Sequence, residues 1–181
     1  MSESTHIPHQ LTSHTKLLHK AAVIVNGKVL LLKRAPDSKS RPNKWDLAGG
    51  NSEWPTGVTE IARDLHRQDV AREIVEETGL VVAPEYFDFK KLTYFSTFFQ
   101  PDKQVYSVIC GWLAELPGKN QSDSQNNNLA DNQATAVKWP EVKISEEHTE
   151  FAWASREEVA SYDFGVEFVP EIIQAAFQKI A

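Results

Sequence analysis

Within nine residues, Arg72-Glu73-Ile74-Val75-Glu76-Glu77-Thr78-Gly79-Leu80, the chain places three carboxylates and a guanidinium. On an α-helix turning about 100° per residue, Glu73, Glu76 and Glu77 fall at about 0°, 300° and 40°, inside one arc of about 100°. Like charges at these spacings repel, so a helix carrying them loses stability unless something compensates. A divalent cation would remove that cost. A carboxylate-rich, all-oxygen set suits Mg²⁺ or Mn²⁺, and the lack of neighbouring Cys or His argues against zinc. Arg72 lies one turn before Glu76, close enough to orient it and offset part of the charge. An ordinary solvated acidic helix face is the competing reading.

Such a helix needs elements to hold it. Residues 58–78 are rich in helix formers and free of Pro and Gly, and Gly79 suits a left-handed C-terminal cap, so the pattern predicts a helix over that span. Residues 21–25 and 29–32 read as strands joined by Asn26-Gly27, the pair favoured for a type I′ turn. Further strands are expected at 80–82, 92–99, 105–114 and 150–154, with 100–104 as a hairpin turn. Ser155 and Glu158 have capping-box spacing, and Pro170 suits the first turn of a closing amphipathic helix over 171–180. This order points to an α+β fold, a mixed β-sheet sandwiched between helices. Residues 1–18 read as a loose polar arm, 19–181 as one domain, and 117–133 as a polar surface loop. His6, His9, His14 and His19 are too irregularly spaced to suggest a metal site.

Composition narrows the class. With 19 basic and 25 acidic residues the net charge is −6, which disfavours a protein built to coat nucleic acid. A small phosphate ligand remains compatible with that balance, because metal ions reverse the local field. The hydrophobic fraction of 41% supports a real core. The one cysteine, Cys110, sits in an apolar run, and no apolar stretch has membrane-spanning length. A cytoplasmic protein without a membrane partner is the expectation.

The segment from Arg72 to Leu80 resembles the second half of the Nudix box, Arg-Glu-apolar-x-Glu-Glu-x-Gly-apolar, at every specified position. Trp45-Asp46-Leu47-Ala48-Gly49-Gly50 resembles the approach to that box, Lys33-Arg34 ends a similar hairpin, and Glu147-His148-Thr149-Glu150-Phe151-Ala152-Trp153 resembles a later family segment. The resemblance implies a Nudix fold and hydrolysis of a phosphoanhydride bond in a nucleotide-type diphosphate such as ADP-ribose, a dinucleoside polyphosphate or a nucleoside triphosphate. It implies Glu73, Glu76 and Glu77 as ligands of Mg²⁺, replaceable by Mn²⁺, with a backbone carbonyl at Gly49 or Gly50 completing the set. Glu76, Glu147 and Glu150 become candidates for the general base, and a homodimer is a family-based expectation. Arg34 and Lys44 could hold phosphate, and Trp45, Phe98, Phe99 or Tyr106 could stack on a base.

One departure stands out. Between Gly50 and Arg72 lie 21 residues, about eight more than the family pattern. Asp64 falls where the pattern has a glutamate, with Glu53 and Glu60 as rivals, and on an unbroken helix Asp64 would lie about 180° from Glu73. Two other functions compete with hydrolysis. A non-catalytic nucleotide-binding module would fit the altered first half of the box. A prenyl diphosphate isomerase would need a catalytic cysteine, and only Cys110 is present.

Overall fold

The computed structural model describes residues 15–53, 57, 59–118 and 139–181. Its strands are β1 (Thr15–Val25), β2 (Lys28–Arg34), β3 (Trp45–Asp46), β4 (Leu92–Gln100), β5 (Val105–Leu116) and β6 (His148–Ala154), and its α-helices are α1 (His66–Thr78) and α2 (Phe168–Ile180). The sheet runs β3-β2-β1-β5-β4, with β6 also on β2. β1 and β5 are parallel and the other pairs antiparallel, so the sheet is mixed.

Side chains alternate across the strands and divide the core in two. Ala21, Val23, Leu30, Leu32 and Trp112 pack with Val70, Ala71 and Ile74 of α1. Ala22, Ile24, Val29, Leu31 and Ile109 pack with Val169, Ile172, Ile173 and Ala176 of α2. Each helix covers one face, which is the sandwich expected. The β1–β2 turn has positive φ at both Asn26 (48°) and Gly27 (73°), as type I′ geometry demands. The Ser155–Glu158 box forms reciprocally: Ser155 N–H donates to Glu158 Oε2 at 2.7 Å, and Glu158 N–H to Ser155 Oγ at 3.4 Å. It starts a single 3₁₀ turn, Glu158–Ser161.

Three expectations are corrected. β1 starts at Thr15, so residues 15–18 are strand rather than arm, paired with β5 from Tyr106 to Ile109. Helix α1 starts at His66, well after residue 58. Asp64 adopts a left-handed φ of 55°, and Ile61 before it is 93% exposed, so the preceding segment has helix propensity without an apolar face to bury. Residues 80–82 alternate in burial, with Leu80 and Val82 in the core and Val81 outward, but no neighbouring strand pairs them. The loop at 117–133 lies outside the described residues beyond Gly118, as do His6, His9 and His14.

Candidate active site

Burial along α1 follows the helical wheel. Measured from the fully buried Ile74, Glu77 lies about 60° around the helix, Glu73 about 100° and Glu76 about 160°. Their exposure rises in that order: Glu77 is 7% exposed, while the Glu73 and Glu76 side chains reach 14% and 56%. Arg72 bridges the outer two, donating to Glu73 Oε1 at 2.8 Å and to Glu76 Oε2 at 2.7 Å. Glu53 stands 3.9 Å from the same guanidinium. Of the other rivals in the extended segment, Asp64 pairs with Arg67 and Glu60 is exposed.

The inner glutamates meet the Gly49–Gly50 turn. Gly49 N–H donates to Glu77 Oε2 at 2.7 Å. A Cβ on Gly49 would lie 2.2 Å from the His19 carbonyl, so that position excludes a side chain, and one on Gly50 would lie 2.8 Å from both carboxylate oxygens of Glu73 and would displace that carboxylate. β6 takes one edge of β2, so β3 and β1 share the other, and the chain after β3 bridges back to β1 at Ala48–Ala21 and Asn51–Leu18. His19 N–H donates to Gly50 O at 2.9 Å. The backbone of β1 therefore sets the turn beside the acids.

Beneath it lies a charged cluster that sequence reasoning missed. Lys20 donates to Asp46 Oδ2 and Leu47 O, both at 3.0 Å, and to Gly49 O. Asp46 is fully buried and also receives Arg34 at 3.3 Å and Arg41 at 2.6 Å. Burial alone would raise its pKa, but Lys20 and Arg41 outweigh it and hold the carboxyl below the usual range. The available signal was a Lys and an Asp set inside two apolar runs, since such groups are seldom fully buried unless paired.

Burial pushes Glu77 up to about 7, against the opposing pull of Lys20 and the Gly49 N–H, and raises Glu73 less. His19 and His148 are both driven down to about 4, chiefly by burial. Trp112 Nε1–H donates to His19 Nδ1 at 3.0 Å, so His19 Nε2 carries the proton and donates to Ser52 Oγ at 3.0 Å. His19 is thus a structural donor that ties down the loop after Gly50.

The remaining candidates separate. Lys143 and Ser145 N–H groups cap the Thr78 and Glu77 carbonyls at 2.8 and 3.3 Å, and two residues on Glu147 lines a cavity of about 370 Å³ with Arg34, Ser38 and Lys39. Arg34 spends its donors on Ser38, the Ser40 carbonyl and Asp46, so it shapes the loop over 35–44. Glu150 pairs with Lys33 at 2.7 Å, opposite it in register. Lys33 shares its face with Leu31 and Val29, the α2 side, so Glu150 hangs away from α1. Trp45 packs edge-on against Tyr162 at 4.9 Å, and Lys44 pairs with Asp163, also towards α2. Phe98 and Phe99 are exposed on the edge strand β4, and Tyr106 faces Phe99. Among the described residues no three His, Cys, Asp or Glu side chains converge closely enough to hold a metal ion, and Glu73 and Glu76 are instead tied to Arg72 and Glu77 to the Gly49 N–H.

The model of the NUDIX domain matches residues 17–174. The chain belongs to the Nudix family. Solved Nudix structures share the fold. A MutT protein from Methanosarcina mazei Go1 is 24% identical, with a TM-score of 0.54 over 94% of this chain and 95% of its own. The NUDIX domain of Shewanella oneidensis NrtR, complexed with ADP ribose, is 17% identical, with a TM-score of 0.61 over 100% of both chains. A bifunctional NMN adenylyltransferase/ADP ribose pyrophosphatase from Francisella tularensis, complexed with AMP and an Mn ion, is 20% identical, with a TM-score of 0.56 over 92% of this chain and 42% of its own. No curated protein sequence matches. Among the described residues no helix of this Nudix chain is long and apolar enough to cross a membrane.

Proposed function

We propose that this Nudix chain hydrolyses a phosphoanhydride bond in a nucleoside diphosphate derivative of the ADP-ribose, dinucleoside polyphosphate or nucleoside triphosphate kind, with Mg²⁺ as cofactor and Mn²⁺ able to replace it. The observation that carries this reading is the seating of Glu77 and Glu73 against Gly49 and Gly50. The donor set fits a hard cation: three carboxylates on adjoining turns, no thiol, and a Gly50 backbone with no Cβ to push the Glu73 carboxylate away. Held by Glu73, Glu76, Glu77 and the Gly50 carbonyl, the cation would polarise the diphosphate and acidify the attacking water. Arg72 holds Glu73 and Glu76 now, and must release them for three carboxylates to turn to one point. Its planar fork is then free for a phosphate oxygen pair.

Glu147 is the favoured base, accepting the proton as water attacks phosphorus, since it follows the segment that caps α1. Glu150 is the weaker candidate because it lies on the far face. The ADP ribose held by the Shewanella protein and the AMP and Mn held by the Francisella protein support a nucleotide-type ligand and a divalent metal. The buried free thiol of Cys110 supports a cytoplasmic location, and a homodimer belongs to the family-based reading.

The test is turnover of ADP-ribose, dinucleoside polyphosphates, nucleoside triphosphates and NADH, with and without Mg²⁺. Metal-dependent cleavage of at least one class is expected, and relative kcat/KM values identify the substrate. If Mg²⁺ and Mn²⁺ both leave every compound intact, the chain is a non-catalytic binding module.

A further inference from the structure

Lys20 lies in β1 where the following residues, Ala21 to Val25, are all buried and apolar, and its own side chain is 3% exposed. An ammonium buried there is costly unless every proton is placed, and all three are: on Asp46, on the Leu47 carbonyl and on the Gly49 carbonyl. Asp46 in turn accepts from Arg34, Arg41 and the Leu47 N–H, so the pair sits in a saturated network. A buried ion pair adds little net stability over an apolar pair of similar volume. Its presence calls for another explanation, and its position supplies one. The carbonyls Lys20 grips belong to the turn whose next groups face the acids, for Gly49 turns its carbonyl to Lys20 and its N–H to Glu77.

We propose that Lys20 is a positioning residue for the acidic site: by fixing the Leu47 and Gly49 carbonyls it aims the Gly49 N–H at Glu77 and holds the Gly50 backbone against Glu73. Asp46 is the anchor that keeps the ammonium in place. Lys20 touches neither glutamate directly and acts through two peptide groups. The inference rests on the reading of Glu73, Glu76 and Glu77 as a cation site, and its first measurement needs no cation.

In metal-free protein, Lys20→Met should speed amide hydrogen exchange at Gly49 about tenfold or more while Ile109 and Trp112 in β5 keep their protection, which separates local loosening from global unfolding. Mn²⁺ affinity, titrated by electron paramagnetic resonance, should weaken about 10–100-fold, the range for outer partners of metal ligands. Because Lys20 acts partly through Glu77, Lys20→Met added to Glu77→Gln should weaken Mn²⁺ binding by clearly less than the sum of the two single losses. Should Lys20→Met not fold, Lys20→Met with Asp46→Asn removes both charges together and should give the same pattern. Unchanged Gly49 exchange, or additive losses of affinity in the double variant, overturns the proposal. If the unaltered chain takes up no Mn²⁺, the cation reading fails by itself, and Gly49 exchange still decides whether Lys20 sets the turn.

Discussion

The two faces of one sheet divide the candidate residues. On the α1 face, Glu73 and Glu77 meet Gly49 and Gly50, while Lys20, which shares its parity with Ala22 and Ile24, grips the same turn together with Asp46. Towards α2, Lys33 takes Glu150, Asp163 takes Lys44 and Tyr162 covers Trp45, so each polar or aromatic candidate there is committed to an ordinary structural contact. Residues adjacent in sequence, such as Leu47 and Ala48, are sent to opposite sides by the two-residue period of extended chain. Proximity along the chain is therefore a poor guide to which groups share a site, whereas parity within a strand is a good one.

Substitutions can sharpen or break this contrast. The largest effect belongs to Glu77→Gln, which should lower kcat about 10³-fold, equivalent to several kcal/mol of transition-state stabilisation, while Glu150→Gln stays within about threefold, the worth of an exposed ion pair. Comparable losses in steady-state assays would erase the distinction between the faces. Gly50→Ala comes next. Its Cβ would press on the Glu73 carboxylate, and Mn²⁺ affinity should fall about 10–100-fold at an unchanged melting profile.

Stability should also depend on pH through the two histidines buried on or beside the α1 face. His19 and His148 have folded pKa values near 4 against 6.5 for the free group, so the unfolded chain binds more protons between those values. Their effect is absent above about pH 6.5, and stability declines as pH falls towards 4, at about 1.4 kcal/mol per unit for each histidine at most. Urea midpoints across that window measure the decline, and replacing His19 by Gln should flatten it. A steep loss above pH 7 instead would mean these imidazoles are charged in the fold. The smallest effect is Lys44→Ala, which breaks the exposed pair with Asp163. It should cost under about 1 kcal/mol and leave kcat/KM alone.

Much of this was legible in the residues. The Asn26-Gly27 turn, the Ser155–Glu158 cap and the strands near 21–25, 29–32, 92–99, 105–114 and 150–154 follow from local stereochemistry, which needs no tertiary partner to be read. The acidic helix and its glycine turn were legible for the same reason, as a dense local motif. Three things were not. The start of α1 depends on whether residues near Ile61 find something to bury against, which propensity does not report. The fate of Lys44, Trp45 and Glu150 depends on partners more than a hundred residues away for the first two, and on cross-strand register for the third. The Lys20–Asp46 pair joins two residues that each look like an isolated polar interruption until β1 and the turn after β3 are laid side by side.

The longest ladder of the sheet is the parallel one between β1 and β5, and it joins positions far apart, Thr15 beside Tyr106 at one end and Val25 beside Leu116 at the other. Contacts of such long range form slowly, because a large loop must close before the first of them forms. β1 is also the strand against which the glycine turn is laid. During synthesis the acidic helix and its turn are complete well before β5 leaves the ribosome, yet their mutual placement has to wait for that distant strand to arrive.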